Sequence, residues 1–492
     1  MFRMPTKKHE EILGVSVLSY EMTIGLETHI ELSTKTKIFC SCPVEFGKDA
    51  NTNCCPVCTG MPGTLPVLNK DVLTYAIKAG LATNCKIRNR SQMARKNYVY
   101  PDLCKAYQIS QFDLPLCYDG YITLSSGKKI RINRIHIEED AGKLISDDKN
   151  ILIDYNRGGT PLIEIVTEAD FNSAEEVREY LKILKTIMKI INVSDCKMQE
   201  GSLRCDVNIS IKEKGKLGTK CEIKNVNSFS FIAKAIEYEA KRQVNILKSG
   251  GKITSETLRY DSKKNITEPM RSKEEAEDYR YFPEPDLPDI IVTDEEIKKI
   301  KDALPELYEE KLERYKKDFL MSQKDAELLL SYPALSGFFD AMVLSCGGKN
   351  YAKICLSVMF SYVFKLFKTE EEKETADIPI DAKTLAEAVK LIADGEISNN
   401  FTKKIIETMF NEKKGFFELF KKEDFQNMRE DELLIFVKQE ISESEDIIKS
   451  YIAGNEKALL SVVGKIMKKT GGKADAKLAK ELIIKEINQK EA

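Results

Sequence analysis

At 492 residues the chain is too long for one ordinary core, and length alone suggests roughly three domains. Apolar content of 42% with 31% charged residues fits a folded globular protein, and a net charge of -2 excludes a global basic field for nucleic acid while leaving room for a local patch. No apolar run reaches the roughly 18–20 residues of a membrane span. The most apolar region, Ile354 to Phe367, is broken by Ser357, Ser361 and Lys365 and reads as a buried helix.

Residues 1–15 read as a disordered leader: Met1 to Glu11 lacks an apolar signal core, and Glu10 and Glu11 argue against a transit peptide. Cytoplasm is the expected location. The 13 Cys are odd in number, which favours free thiols and a metal site over a disulfide framework. Residues 16–293 form one expected α+β domain, rich in short alternating runs. Examples are Tyr121-Ile-Thr-Leu, Lys129-Ile-Arg-Ile-Asn-Arg-Ile-His and Leu203-Arg-Cys-Asp-Val-Asn-Ile-Ser-Ile. Helices are expected over Ser173–Ile191, with a capping box from Ser173 to Glu176, and over Phe229–Ser249. Pro283, Pro285 and Pro288 then mark a break. Thr293 with Glu296 caps the first helix of an all-helical region, 294–400, and a Lys-rich helical tail occupies 401–492 with a hinge at Gly471 and Gly472.

Two constellations carry chemistry. The pairs Cys40-x-Cys42 and Cys55-x-x-Cys58 suit a closed, structural tetrahedral zinc site, with Cys54 competing as the third ligand. In Ile24-Gly-Leu-Glu-Thr-His-Ile-Glu-Leu, strand alternation puts Glu27, His29 and Glu31 on one face, a pattern that a merely solvated face also produces. His136-Ile-Glu-Glu-Asp-Ala-Gly-Lys adds a second carboxylate set. Oxygen-rich clusters suit Mg2+ held for phosphate chemistry, and alternation separates Glu138 from Glu139 without saying which faces the metal. No phosphate-binding glycine loop is present, so a nucleotide would rely on metal ions and on cations such as Arg157, Arg204, Lys224 and Arg280. The Gly-Gly-Lys triplets at Gly250, Gly347 and Gly471 read as helix ends.

Taken in order, several motifs resemble the B subunit family of tRNA-dependent amidotransferases. They are Ile24-Gly-Leu-Glu-Thr-His, Phe39-Cys-Ser-Cys, Asn51-Thr-Asn-Cys-Cys-Pro-Val-Cys-Thr-Gly-Met-Pro-Gly, Tyr100-Pro-Asp-Leu, Tyr107-Gln-Ile-Ser-Gln and Ile135-His-Ile-Glu-Glu-Asp-Ala-Gly-Lys. Asp154-Tyr-Asn-Arg-Gly-Gly-Thr-Pro-Leu-Ile-Glu-Ile-Val, Gly201-Ser-Leu-Arg-Cys-Asp-Val-Asn, Glu222-Ile-Lys-Asn-Val-Asn-Ser-Phe and Asp278-Tyr-Arg-Tyr-Phe-Pro-Glu-Pro-Asp-Leu-Pro complete the series. After Thr293 the likeness rests on helical organisation and Leu391-Ile-Ala-Asp-Gly-Glu-Ile-Ser.

The resemblance implies a glutamine-synthetase-like cradle domain, then an all-α domain and a small tail that binds tRNA. It implies ATP-dependent phosphorylation of the side-chain carboxylate of Glu-tRNA(Gln) or Asp-tRNA(Asn), followed by amidation with ammonia. It also implies partners: the amidase, or A, subunit of the same complex, its small C subunit, and misacylated tRNA. By the same likeness Glu27, His29 and Glu139 (rather than Glu138) are expected Mg2+ ligands, and Glu164, Asp206 and Glu222 complete the acidic set. Arg157, Arg204 and Lys224 are expected to contact phosphate, and Cys40, Cys42, Cys55 and Cys58 match the family's zinc knuckle. Thr28, Cys104 and Ala169 depart from the usual residues without removing a ligand. The longer archaeal-type paralogue, which carries an inserted domain, fits less well because no insertion is visible. A zinc-stabilised, nonenzymatic RNA-binding adaptor is the competing class, and it leaves the acidic clusters without a use.

Overall fold

The computed structural model describes residues 20–146, 150–224, 226–272, 279–397, 399–421, 430–471 and 474–491. The expected leader lies outside these residues, as do Asn225, Asp278 and Gly472. Two compact units divide at Glu309 and Glu310.

The first unit is built on a nine-stranded sheet. Its strands are β1 (Tyr20–Glu31), β2 (Lys86–Ile87), β3 (Cys117–Thr123), β4 (Lys129–Glu139), β5 (Pro161–Thr167), β6 (Leu203–Glu213), β7 (Cys221–Lys224), β8 (Glu256–Asp261) and β9 (Ile266–Ser272). They lie in the order 2-3-4-5-1-6-7-8-9, antiparallel except for the β7–β8 pair. The first strand therefore sits at the centre, flanked by β5 and β6.

Alternation sorts the two faces. Ile24, Leu26, Ile30, Ile163, Ile165, Ile135, Ile137, Val207, Ile209 and Ile223 are all buried on one side. Helices α1 (Lys70–Ala82), α2 (Ala174–Ile190) and α3 (Phe229–Lys248) pack against the sheet and supply its apolar cover. Each such side chain taken from water contributes roughly 1.5–3 kcal/mol. Ser173 caps α2 by accepting from the Glu176 N–H, but the Glu176 carboxylate accepts from the Asn172 N–H instead of completing a capping box. Helix α3 ends where Gly250, at φ +77°, and Gly251 donate back to Leu247 and Ile246.

The proline-rich stretch is strapped down. Phe282–Pro283 pairs with Ala94 and Arg95, Ile290–Ile291 pairs with Arg90 and Ser91, and Arg95 forks onto buried Glu284 at 2.7 and 2.9 Å. The first unit runs beyond the expected limit at 293, because helix Asp294–Asp302, with both capping-box bonds formed at Thr293 and Glu296, packs on α1.

The second unit is helical. Residues of the apolar stretch form a helix over Ala352–Val358, a widened turn over Met359–Val363 and a tight turn over Phe364–Leu366. The expected boundary at 400/401 falls inside helix Asn399–Glu412, which buries Ile405, Ile406 and Met409 and packs on Ala382–Ala393. A separate core does exist further on. Helices Glu430–Glu443, Glu445–Ile452, Glu456–Lys469 and Ala476–Glu491 enclose Leu433, Val437, Leu459, Val462, Ile466 and Ile483. Among the described residues no single helix is long and apolar enough to cross a membrane.

Candidate active site

The face of the sheet opposite the helices is polar, and pairing brings its side chains into rows. His29 on β1 stands opposite Glu164 on β5 and Arg204 on β6, while Glu164 stands opposite His136 on β4. One step along, Glu27 faces Asp206, and Glu222 on β7 pairs with Asn208 on β6. Three donors converge: His29 Nε2 lies 3.3 Å from Glu138 Oε1 and 3.6 Å from Glu164 Oε2, a group compact enough to hold one metal ion. Glu27 shares the face but is held by Asn208, whose Nδ2 donates to it at 2.9 Å.

Glu138, not Glu139, belongs to this group. The Glu139 carboxylate accepts from Lys105 Nζ at 2.5 Å and from the Ile109 N–H at 2.8 Å, away from His29. The reason is a register shift. Between Val166 and Thr167 the β4–β5 pairing skips a residue, so the buried apolar positions change phase from Ile130 and Ile132 to Ile135 and Ile137. Beyond that bulge His136 and Glu138 point to the polar face.

Charge balance on the face is tight. Burial opposes ionisation of Glu164, but His136 (Nε2 to Oε2 3.1 Å), His29 and Lys96 outweigh it and hold the carboxyl well below the usual range. Lys96 is driven the other way: burial alone would discharge its ammonium, and nearby Glu138 keeps it charged, above the ordinary lysine value. The three expected phosphate-binding cations are already engaged. Arg204 and Arg157 both pair with Asp140, at 2.7 and 3.3 Å, and Lys224 sits between Asp206 at 2.8 Å and Glu222 at 3.2 Å. Beside Asp140, burial pushes the Glu31 carboxyl up to about 8. Arg280 is exposed, at φ +43°, on the chain that borders Asn97.

At the end of the sheet the sulfurs of Cys40, Cys42, Cys55 and Cys58 all lie within 4.8 Å of one another. A tetrahedral ion with bonds of about 2.3 Å needs sulfurs about 3.8 Å apart, and the Cys55–Cys58 separation is 3.9 Å. Cys54 is outside the quartet, with its Sγ 3.9 Å from Asn156 Oδ1. The Cys58 thiol is pulled down by hydrogen bonding with Cys40, by the Cys55 N–H and by Lys37. Gly60, at φ +68°, closes the knuckle, and a Cβ there would come within 2.6 Å of the Lys105 stem.

Several residues of the site escape the strand-by-strand reading. His136 is 4% exposed with Nδ1 buried and unpaired, and it orients Glu164. Lys96, Asp140 and Asn208 arrive on separate strands or at strand ends. The one signal for His136 is its being one of only three His in the chain, next to a carboxylate run.

Comparisons with known proteins extend across the chain. A family model described as "GatB/GatE catalytic domain" matches residues 22–298, and a second, "GatB domain", matches 338–487. The chain is 48% identical over 482 residues to the B subunit of the aspartyl/glutamyl-tRNA(Asn/Gln) amidotransferase of Caldicellulosiruptor saccharolyticus, covering 96% of this chain and 100% of that protein. It is 47% identical over 479 residues to the protein of the same name from Thermoanaerobacter pseudethanolicus, with the same coverage. For that from Clostridium tetani the figure is 46% over 479 residues, again 96% and 100%.

Proposed function

The chain belongs to the B subunit family of aspartyl/glutamyl-tRNA amidotransferases, and from that premise we propose that its polar sheet face activates the side-chain carboxylate of a misacylated tRNA for amidation. ATP transfers its γ-phosphoryl group to the carboxylate of Glu-tRNA(Gln) or Asp-tRNA(Asn), releasing ADP. Ammonia then attacks the acyl phosphate, and phosphate leaves as the amide forms. A carboxylate is a poor electrophile, and the acyl phosphate provides the leaving group that ammonia needs.

The observation that carries this reading is the convergence of His29, Glu138 and Glu164 on one polar face, with Lys96 beside them and Arg157, Arg204 and Lys224 held by Asp140 and Asp206. Two carboxylates and one imidazole fit Mg2+, and the buried His136 steadies Glu164 as outer partners of metal ligands do. When bound there, Mg2+ supplies charge neutralisation for the triphosphate. Glu27, Asp206 and Glu222 extend the acidic set. Arg204 and Arg157 are positioned through Asp140, and Lys224 through Asp206, to meet phosphate oxygens as negative charge accumulates. The cysteine quartet fits structural zinc, since four thiolates leave no position for substrate.

The relatives are by name one component of a multi-subunit amidotransferase. The proposed partners are therefore an amidase component that supplies ammonia and a small third component. The Lys-rich tail is proposed to read tRNA shape, and cytoplasm remains the proposed location. The test is tRNA-dependent ATP hydrolysis by the chain assembled with its amidase and small partners, alongside Glu138→Ala. Hydrolysis that appears with misacylated tRNA and disappears in the assembled variant supports the assignment. Its absence from a correctly assembled wild-type complex favours the nonenzymatic adaptor.

A further inference from the structure

Lys37 is fully buried, and among the described residues it forms no ion pair with a carboxylate. Its Nζ lies 3.6 Å from Cys58 Sγ and donates to the Tyr155 carbonyl at 3.3 Å. Burying an ammonium without an anionic partner costs several kcal/mol, on the order expected for an isolated buried ion. The group it points at becomes anionic when loaded: four thiolates around one divalent ion carry a net charge of about -2. The lysine thus sits where the filled knuckle would carry its negative charge.

The second bond leads toward the catalytic face. Tyr155 opens a turn in which Gly158 N–H donates to Tyr155 O, Thr160 N–H to Arg157 O and Gly159 N–H to Asp140 O. The same turn is packed on the knuckle. Ile38 N–H donates to Gly159 O at 3.0 Å, and Gly159 takes φ +82°, where a Cβ would lie 3.5 Å from Lys37 Cδ and 3.6 Å from Cys58 Cβ. Arg157 projects from this turn onto Asp140, the carboxylate that also holds Arg204.

We propose that Lys37 is a positioning residue that offsets the charge of the metal-loaded cysteine knuckle and couples metal occupancy to the placement of Arg157 and Asp140. This rests on the zinc reading of the quartet, and the measurements separate the two. With the full chain in its assembled complex, zinc content tests the quartet: about one equivalent in the wild type is expected, and none overturns both the zinc reading and the role given to Lys37.

Given a loaded wild type, zinc release to a chromophoric chelator is then compared in Lys37→Met and Lys37→Arg. Loss of the ammonium is expected to speed release about tenfold or more, as for other outer partners of metal ligands, while Arg keeps the slow rate. Release from Lys37→Met at the wild-type rate overturns the inference and leaves the zinc reading intact. Should Lys37→Met fail to fold, the unmutated chain decides by hydrogen exchange before and after zinc is chelated. Protection at Gly158, Gly159, Thr160 and Gly142 is expected to fall on zinc removal, and unchanged protection there refutes the coupling.

Discussion

Adjacent carboxylates on one strand give the sharpest test of the site. Glu138 contributes an oxygen to the compact donor group, whereas Glu139 forms a buried ion pair with Lys105, both side chains under 15% exposed. Glu138→Gln preserves shape and removes one ligand charge. The midpoint of Mg2+ activation should rise by roughly 10–100-fold, equivalent to about 1.4–2.7 kcal/mol, with tRNA-dependent ATPase falling in parallel. Glu139→Gln should do the opposite. It leaves the Lys105 ammonium uncompensated, which costs about 3–5 kcal/mol when a buried pair is broken. Because Gln can still accept from the Ile109 N–H, the lower figure is expected. A loss near 3 kcal/mol lowers Tm by roughly 5 °C in a unit of this size, while the Mg2+ midpoint stays near wild type. Titration of Mg2+ against ATPase activity and thermal melting of the same preparations separate the two effects. A shifted Mg2+ midpoint in Glu139→Gln with a normal one in Glu138→Gln would refute the assignment.

Three further outcomes follow from the same geometry. Lys224→Met removes the cation between Asp206 and Glu222, so the KM for ATP should rise about tenfold or more, with the tRNA KM little changed in steady-state assays. Truncation after Leu419 should keep the helix packing around Ile405 and Met409 and remove the tail core, raising the tRNA KM several-fold while ATP binding persists; unchanged tRNA kinetics would remove tRNA recognition from the tail. In the tail, Glu440 is 1% exposed. Burial disfavours its charge, but Lys469 at 2.6 Å, Ser444 and Lys465 outweigh this and lower its folded value. Its contribution to stability is therefore present above the unfolded carboxylate range, near 4.3, and is lost as pH falls through the lower folded value. Melting curves of Glu440→Gln should lie below wild type by about 1–3 kcal/mol at pH 7 and approach it below pH 4.

Local periodicity made much of this protein legible. Alternation alone placed Glu27, His29 and Glu31 opposite Ile24, Leu26 and Ile30, because β side chains repeat every two residues. Ser173, Thr293 and the pairs Gly250-Gly251 and Gly347-Gly348 marked helix ends through backbone groups that any helix must satisfy. The close spacing of two cysteine pairs marked the knuckle.

Tertiary structure decided the rest, since it depends on contacts that sequence distance hides. Alternation separated Glu138 from Glu139 without choosing between them, and the likeness favoured Glu139; the bulge beside Val166 and Thr167 sets the phase that turns Glu138 to the donor group. A one-residue shift of this kind exchanges the faces of every residue beyond it. His136 and Asp140 join the site only because β5 bridges β4 to β1, and Lys96 only because the Ala94–Asn97 strand, part of a separate small sheet, brings its charge close to Glu138 and Glu164. Spacing alone left Cys54 competing with Cys55, the family likeness chose Cys55, and the fold agrees: the loop turns the Cys55 sulfur toward Cys58 and the Cys54 sulfur toward Asn156. Composition and periodicity determine which residue types share a face; the pairing of distant strands determines which of them meet.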